Sequence, residues 1–146
     1  MALRRPAVHL VTVFKVRAHM NPKILSVDDS GLVRKAVSRV FNRFECTMLE
    51  AENGEIGLQQ TVEHRPELII LDYNMPVMDG VEMLKRLRAD ESLKRTKVIM
   101  LTANSNPETI ATVARLGVRD YITKPFVDEQ LLAKAARLVT LVPKPT

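Results

Sequence analysis

Glu67-Leu68-Ile69-Ile70-Leu71-Asp72 is the stretch on which the fold turns. Its aliphatic run shows no alternation with polar residues, so neither face of a strand built from it would suit water. That pattern predicts a strand buried on both sides, the kind found in parallel sheets covered by helices. The run is delivered straight into a carboxylate. A fully apolar strand that ends on an acid places that acid at the sheet's edge, where chemistry is possible.

Downstream, Tyr73–Met78 reads as a loop containing Pro76, and Asp79-Gly80 opens a helix running to about Ala89. Lys97–Leu101 is the next apolar strand. Asn106-Pro107 starts another helix, since Asn caps well and Pro is tolerated at the first helical position. Gly117 should terminate it in a left-handed conformation. Arg119–Ile122 is a strand, Lys124-Pro125 a corner, and Val127–Val142 a final amphipathic helix. Upstream, Pro66 closes a helix over Glu55–His64 that Asn53-Gly54 introduces, preceded by a strand at Cys46–Ala51. Ser30–Phe44 is predicted helical, with Leu32, Val33, Ala36, Val37, Val40, Phe41 and Phe44 on one stripe. Lys23–Val27 is the first strand.

Strand and helix therefore alternate five times with short connections. The expectation is an α/β fold: a doubly wound five-stranded parallel sheet with helices on both faces, joined by right-handed crossovers.

The 146 residues suit one domain of ordinary size, and 46% apolar content supports one sizeable core. No apolar run is long enough to span a bilayer. Cys46 is the only cysteine, which fits a reducing cytoplasm and a small buried side chain. The net charge of +5 has a local origin: Arg4, Arg5, Lys15 and Arg17 stand in residues 1–20 without any acid, leaving the body at +1. A nucleic-acid-binding role loses its main support. Residues 1–20 are expected to be a basic N-terminal extension, with Met20 the natural start and residues 1–19 either upstream sequence or a disordered arm. The domain is expected over residues 21–143, with 144–146 as a tail.

In an open parallel sheet, ligands gather beyond the carboxyl ends of the strands. At those ends the predicted strands leave Asp28 and Asp29, Asp72, Thr102 and, just beyond the fifth, Lys124. Taken singly, each has an ordinary explanation: the acid pair favours a helix N-terminus, Asp72 and Thr102 suit strand ends, and Lys124 suits a surface. Together they are a strange set for purely structural needs. Carboxylates about 4 Å apart repel by roughly 4 kcal/mol per pair at an effective dielectric of 20. A hard divalent cation resolves the conflict and readily takes a phosphoryl oxygen as an additional ligand. Asp72 then becomes a candidate nucleophile for phosphorus, with Thr102 and Lys124 to bind the other oxygens.

Four stretches in order resemble one family, the receiver domains of two-component response regulators. They are Ile24-Leu25-Ser26-Val27-Asp28-Asp29-Ser30, Leu71-Asp72-Tyr73-Asn74-Met75-Pro76-Val77-Met78-Asp79-Gly80, Met100-Leu101-Thr102-Ala103 and Tyr121-Ile122-Thr123-Lys124-Pro125-Phe126. The resemblance covers about residues 22–142 and implies a flavodoxin-like fold that acts as a switch rather than as an enzyme. It implies Asp72 as phosphoacceptor, and Asp28, Asp29, Asp72 and the main-chain carbonyl of Asn74 as ligands of Mg2+ or Mn2+. It further implies Thr102 and Tyr121 as switch residues, Lys124 as a fixed cation on the phosphoryl group and a cis Lys124–Pro125 bond. By the same resemblance, Asn74 and Asn104 stand where such domains vary side chains to tune loss of phosphate. The implied donor is a histidine kinase or phosphotransfer protein. The implied output surface joins the fourth helix, fifth strand and fifth helix, and its downstream partner is unknown. Arg34, Lys35 and Arg39 are either docking cations for the donor or a solvated face.

Other functions fit less well. A phosphatase of the haloacid dehalogenase type wants an acid where Asn74 stands. A non-phosphorylated receiver-like binding module is opposed by the complete set of Asp28, Asp29, Asp72, Thr102 and Lys124. A helix-turn-helix finds no room after Val142. A chemotaxis-type regulator, a phosphorelay intermediate, a phosphate sink and a fragment of a longer regulator all agree with the same residues.

Overall fold

The computed structural model describes residues 20–103 and 105–146. The expectation for residues 1–19 and that for Asn104 therefore lie outside the described residues. Five strands form one sheet: β1 (Lys23–Val27), β2 (Thr47–Ala51), β3 (Leu68–Leu71), β4 (Lys97–Thr102) and β5 (Asp120–Thr123). Their order is β2-β1-β3-β4-β5, and every neighbouring pair is parallel. The helices are α1 (Gly31–Phe41), α2 (Gly54–His64), α3 (Gly80–Ala89), α4 (Pro107–Arg115) and α5 (Asp128–Leu138).

The unbroken apolar strands divide their side chains between two cores, as period-two geometry requires. Leu25, Val27, Ile69, Leu71 and Met100 face Met83, Leu84 and Leu87 of α3 and Val113 of α4, with Ile56 and Leu58 of α2 packed against them. Ile24, Leu68, Ile70, Ile99, Leu101 and Ile122 face Val37, Val40 and Phe41 of α1 and Leu131 and Ala135 of α5. Helices α1 and α5 thus cover one face, and α2, α3 and α4 the other.

Capping accounts for where most helices begin. Ser30, Asn53, Asp79 and Asn106 each have extended backbone and accept a hydrogen bond from an N–H of the first turn. Gly117 has φ +80, the expected left-handed stop after α4. The first helix ends at Phe41 rather than Phe44, and the last at Leu138 rather than Val142. One interaction explains both differences. Val139 turns extended, and residues 142–144 pair with 43–45: Glu45 N–H donates to Val142 O at 2.7 Å, Lys144 N–H to Arg43 O at 2.8 Å, and Phe44 bridges Pro143. The β-branched Val139, Thr140 and Val142 suit that extended course better than another helical turn. Leu32, expected on the buried stripe of α1, is 80% exposed in the first turn. At about 100° per residue Leu32 falls well off the line through Val33, Val37 and Val40, which do reach the core, so it turns away from the sheet.

Candidate phosphoryl-acceptor site

Parallel register brings the acids together. Val27 and Leu71 are paired across β1 and β3, so the residues that follow them, Asp28 and Asp72, stand side by side at the carboxyl edge. The ladder continues one step into these acids: Asp28 N–H donates to Ala51 O and Asp72 N–H to Val27 O, at 3.0 and 2.9 Å. Because β2 and β3 lie on opposite sides of β1, this is also where the strand order reverses.

Asp28 and Asp72 are buried, whereas Asp29 is exposed. Ligand oxygens from all three carboxylates lie within 4.8 Å of one another. Lys124 enters from the loop after β5, on a cis Lys124–Pro125 peptide. Its main-chain N–H donates to Thr102 O at 2.8 Å, and its ammonium sits 2.8 Å from Asp28 Oδ2 and 3.3 Å from Asp72 Oδ1.

The electrostatics follow from that geometry. Burial pushes the Asp72 carboxyl above its ordinary value, and the neighbouring Asp28 pushes the same way; Lys124 and the Tyr73 N–H, which donates to Asp72 Oδ1 at 2.8 Å, oppose them. Burial alone would lower Lys124, yet its contacts with Asp28 and then Asp72 carry it above the usual ammonium range. One ammonium is thus shared between two buried acids, with a third acid beside them.

The donor set suits a hard divalent ion. Asp28 Oδ2 is buried and accepts no well-directed hydrogen bond, its close neighbour being the Lys124 ammonium. Such an oxygen is a ready ligand, and three clustered carboxylates match the few carboxylate oxygens that magnesium takes beside its waters. The helix-start reading of the acid pair holds as well: Asp28 Oδ1 accepts from Ser30 N–H at 2.9 Å, just before the cap of α1.

Thr102 is buried at the end of β4, and Tyr121 is half-buried on β5. Both line a narrow space with Tyr73, Met100, Ile110 and Val113. Asn74 is exposed in the loop two residues beyond Asp72. Of the basic residues on α1, Lys35 and Arg39 are exposed. Arg34 is not free for docking: it donates to Asp28 O and, through Nε, to Glu50 Oε1 at 2.9 Å. It braces the acid pair's backbone.

Two glycines brace the loop after β3, and no chemical motif identifies them as site residues. At Gly80 a Cβ would fall 2.2 Å from Asp72 O, and at Gly54 it would fall 2.7 Å from Met78 O. The loop between them makes a tight turn: Val77 has φ +69, and Met78 N–H donates to Pro76 O at 2.7 Å. A positive-φ γ-turn is strained, more so for a β-branched residue. Its neighbours hold it in place, with Gly54 N–H donating to Met78 O and Gly80 N–H to Tyr73 O, each at 2.9 Å.

Comparison with known proteins agrees with this arrangement. The family model for the response regulator receiver domain matches residues 24–136. The chemotaxis protein CheY-3 of Vibrio cholerae is 38% identical over 120 residues, covering 81% of this chain and 92% of that one. Sporulation initiation phosphotransferase F of Bacillus subtilis is 38% identical over 112 residues, covering 75% and 88%. The structure of Vibrio cholerae CheY4 superposes with a TM-score of 0.76 at 34% identity, covering 81% of this chain and 98% of that one. Among the described residues, no helix is long and apolar enough to cross a membrane. With the acids adjacent by register and the match spanning both sheet and site, the chain belongs to the response regulator receiver family of two-component and phosphorelay signalling.

Proposed function

We propose that the chain is a single-receiver switch that accepts a phosphoryl group on Asp72 from the phosphohistidine of a histidine kinase or phosphotransfer protein. The observation that carries this is the Lys124 ammonium shared between Asp28 and Asp72 beside a third carboxylate. The receiver unit is taken as residues 21–143, acting in the cytoplasm. In the transfer, an Asp72 carboxylate oxygen bonds to phosphorus as the donor's phosphorus–nitrogen bond breaks, and the leaving imidazole retains the electron pair and takes a proton. Asp28, Asp29, Asp72 and the main-chain carbonyl of Asn74 would hold Mg2+ or Mn2+. The bound ion supplies neutralisation of charge on the phosphoryl oxygens.

This chain's residues have separate tasks. Asp72 is the nucleophile. Lys124 is positioned to follow the negative charge from the carboxylate to the phosphoryl group. Thr102 would then hydrogen-bond a phosphoryl oxygen, and Tyr121 would respond on the adjacent strand. The change would be read at the surface formed by α4, β5 and α5, where one phosphoryl group shifts a population rather than fully converting it, since near-complete conversion takes about 5.5 kcal/mol. Similarity that spans 81% of this chain and 92% of the chemotaxis protein CheY-3 supports a protein whose output is binding.

Incubation with acetyl phosphate and magnesium, followed by intact-mass measurement, tests the acceptor. The wild type should gain one phosphoryl group, and Asp72→Asn should gain none. Equal gain by both proteins would refute the assignment.

A further inference from the structure

At the opposite end of the sheet lies a cleft of about 510 Å3 among the end of α3, the start of β4, the end of α4 and the start of β5. Arg88, Lys94, Arg95, Lys97, Arg115 and Arg119 line it. Asp120 is the one carboxylate among the lining residues, and it is already engaged by Arg137 at 2.6 Å and Lys134 at 3.8 Å. Outside residues 1–20 the chain is almost neutral, so this gathering of cations is not a reflection of overall basicity.

Structural needs account for part of it. Arg88 donates to the carbonyls of Leu116, Lys94 and Thr96, closing the carboxyl-terminal end of α4, where cations are favoured, and the turn that follows α3. Lys97 donates to Leu138 O, and Lys94 pairs with Glu91. Among the described residues, Arg95 and Arg119 are exposed without a hydrogen-bond or ion-pair partner, and Arg115 has only a 3.5 Å contact with Thr112. Three guanidinium groups around one concavity are a surplus that fold stability does not require. Guanidinium groups bind phosphate oxygens in pairs, and the cleft falls within the roughly 300–1,000 Å3 of small-molecule sites. Leu116 and Leu138 add apolar wall on which a ring could rest. Cations confined to one open cleft suit a short polyanion better than an extended nucleic-acid strand.

We propose that this cleft binds a small polyphosphate anion of the nucleoside diphosphate or inorganic polyphosphate class, held by Arg95, Arg115 and Arg119. The site is separate from the phosphoryl acceptor, and its test does not depend on that reading. Isothermal titration of the full chain in EDTA, which silences the acidic site, would use pyrophosphate, inorganic triphosphate, ADP and adenosine. The phosphates and ADP should saturate one site, weakening as salt is raised, and adenosine should not bind. Tighter binding of ADP than of pyrophosphate identifies the nucleotide as the source; equal binding identifies the phosphate chain. The double variant Arg95→Ala/Arg119→Ala should lose at least tenfold in affinity, while the equally charge-depleted Lys85→Ala/Lys144→Ala keeps wild-type binding. The proposal is overturned if neither triphosphate nor ADP saturates, if both double variants lose affinity alike, or if a short oligothymidylate binds more tightly than triphosphate through the same arginines.

Discussion

Asp72 serves a purpose that works against the stability of its own fold. Its carboxyl is raised above 3.8 in the folded chain, so the folded state holds the proton more tightly than the unfolded one. The stabilisation this brings is full below about 3.8 and is lost as pH rises through the higher folded value. In EDTA at neutral pH, Asp72→Asn should therefore melt higher than wild type, by roughly 2–4 °C for each 1 kcal/mol relieved. The gap should close as pH is lowered through the acid range, a trend that differential scanning calorimetry can follow. Lys124→Ala should slow acetyl-phosphate acceptance by about 10²-fold, the scale expected for removing one positioned donor from a developing anion. Rate measurements at saturating magnesium would check this. Asn74→Ala and Asn104→Ala should alter the lifetime of the phosphorylated form more than its formation, and unchanged dephosphorylation in both would remove them from that role. At this scale the placement was legible: Asp28, Asp72 and Lys124 converge as their positions at strand ends implied. Arg34 was not, because its link to the Asp28 carbonyl depends on where α1 sits and leaves no trace in residue spacing.

Among the elements, strands were read more faithfully than helix ends. A buried strand announces itself by an unbroken apolar run, and Leu68–Leu71 stood where expected. A helix end is decided by what competes with its last turn. For α1 and α5 the competitor was the antiparallel contact between residues 43–45 and 142–144, a pairing across nearly a hundred positions that no local window contains. The loop between β3 and α3 presents the same difficulty, since its γ-turn is held by Gly54 from another element. Gly54→Ala should force Met78 aside and destabilise the chain by about 1–3 kcal/mol, the usual range for overpacking. Urea unfolding would measure the loss, and hydrogen exchange should show faster opening across Tyr73–Asp79. A normal exchange pattern there would mean that the loop is held by other contacts.

For the molecule as a whole, the sheet separates two kinds of charge along its length. Carboxylates crowd the carboxyl edge, and guanidinium groups line the cleft at the amino edge. Magnesium should relieve the first crowding and stabilise the folded state, by about 2.7 kcal/mol at a concentration one hundred times its dissociation constant. Thermal melts with and without the ion, reversed by EDTA, would record it; Asp29→Asn should shrink the effect without abolishing the fold, because Asp29 is exposed. The alternation of elements made the architecture readable from pattern alone, whereas the basic cleft was not. Its cations come from three separate stretches of chain, and each looks like an ordinary surface residue until the strands bring them together.

The pairing of residues 43–45 with 142–144 has a practical counterpart. Thr47 N–H donates to Pro22 O at 3.0 Å, so the backbone at Pro22 and at Pro143 meets the same short path into β2. Both lie on the flank turned away from Asp72. A fluorophore, affinity handle or fused protein grafted before Pro22 or after Pro143 would leave by one shared corner, with the mouth that receives the donor still open.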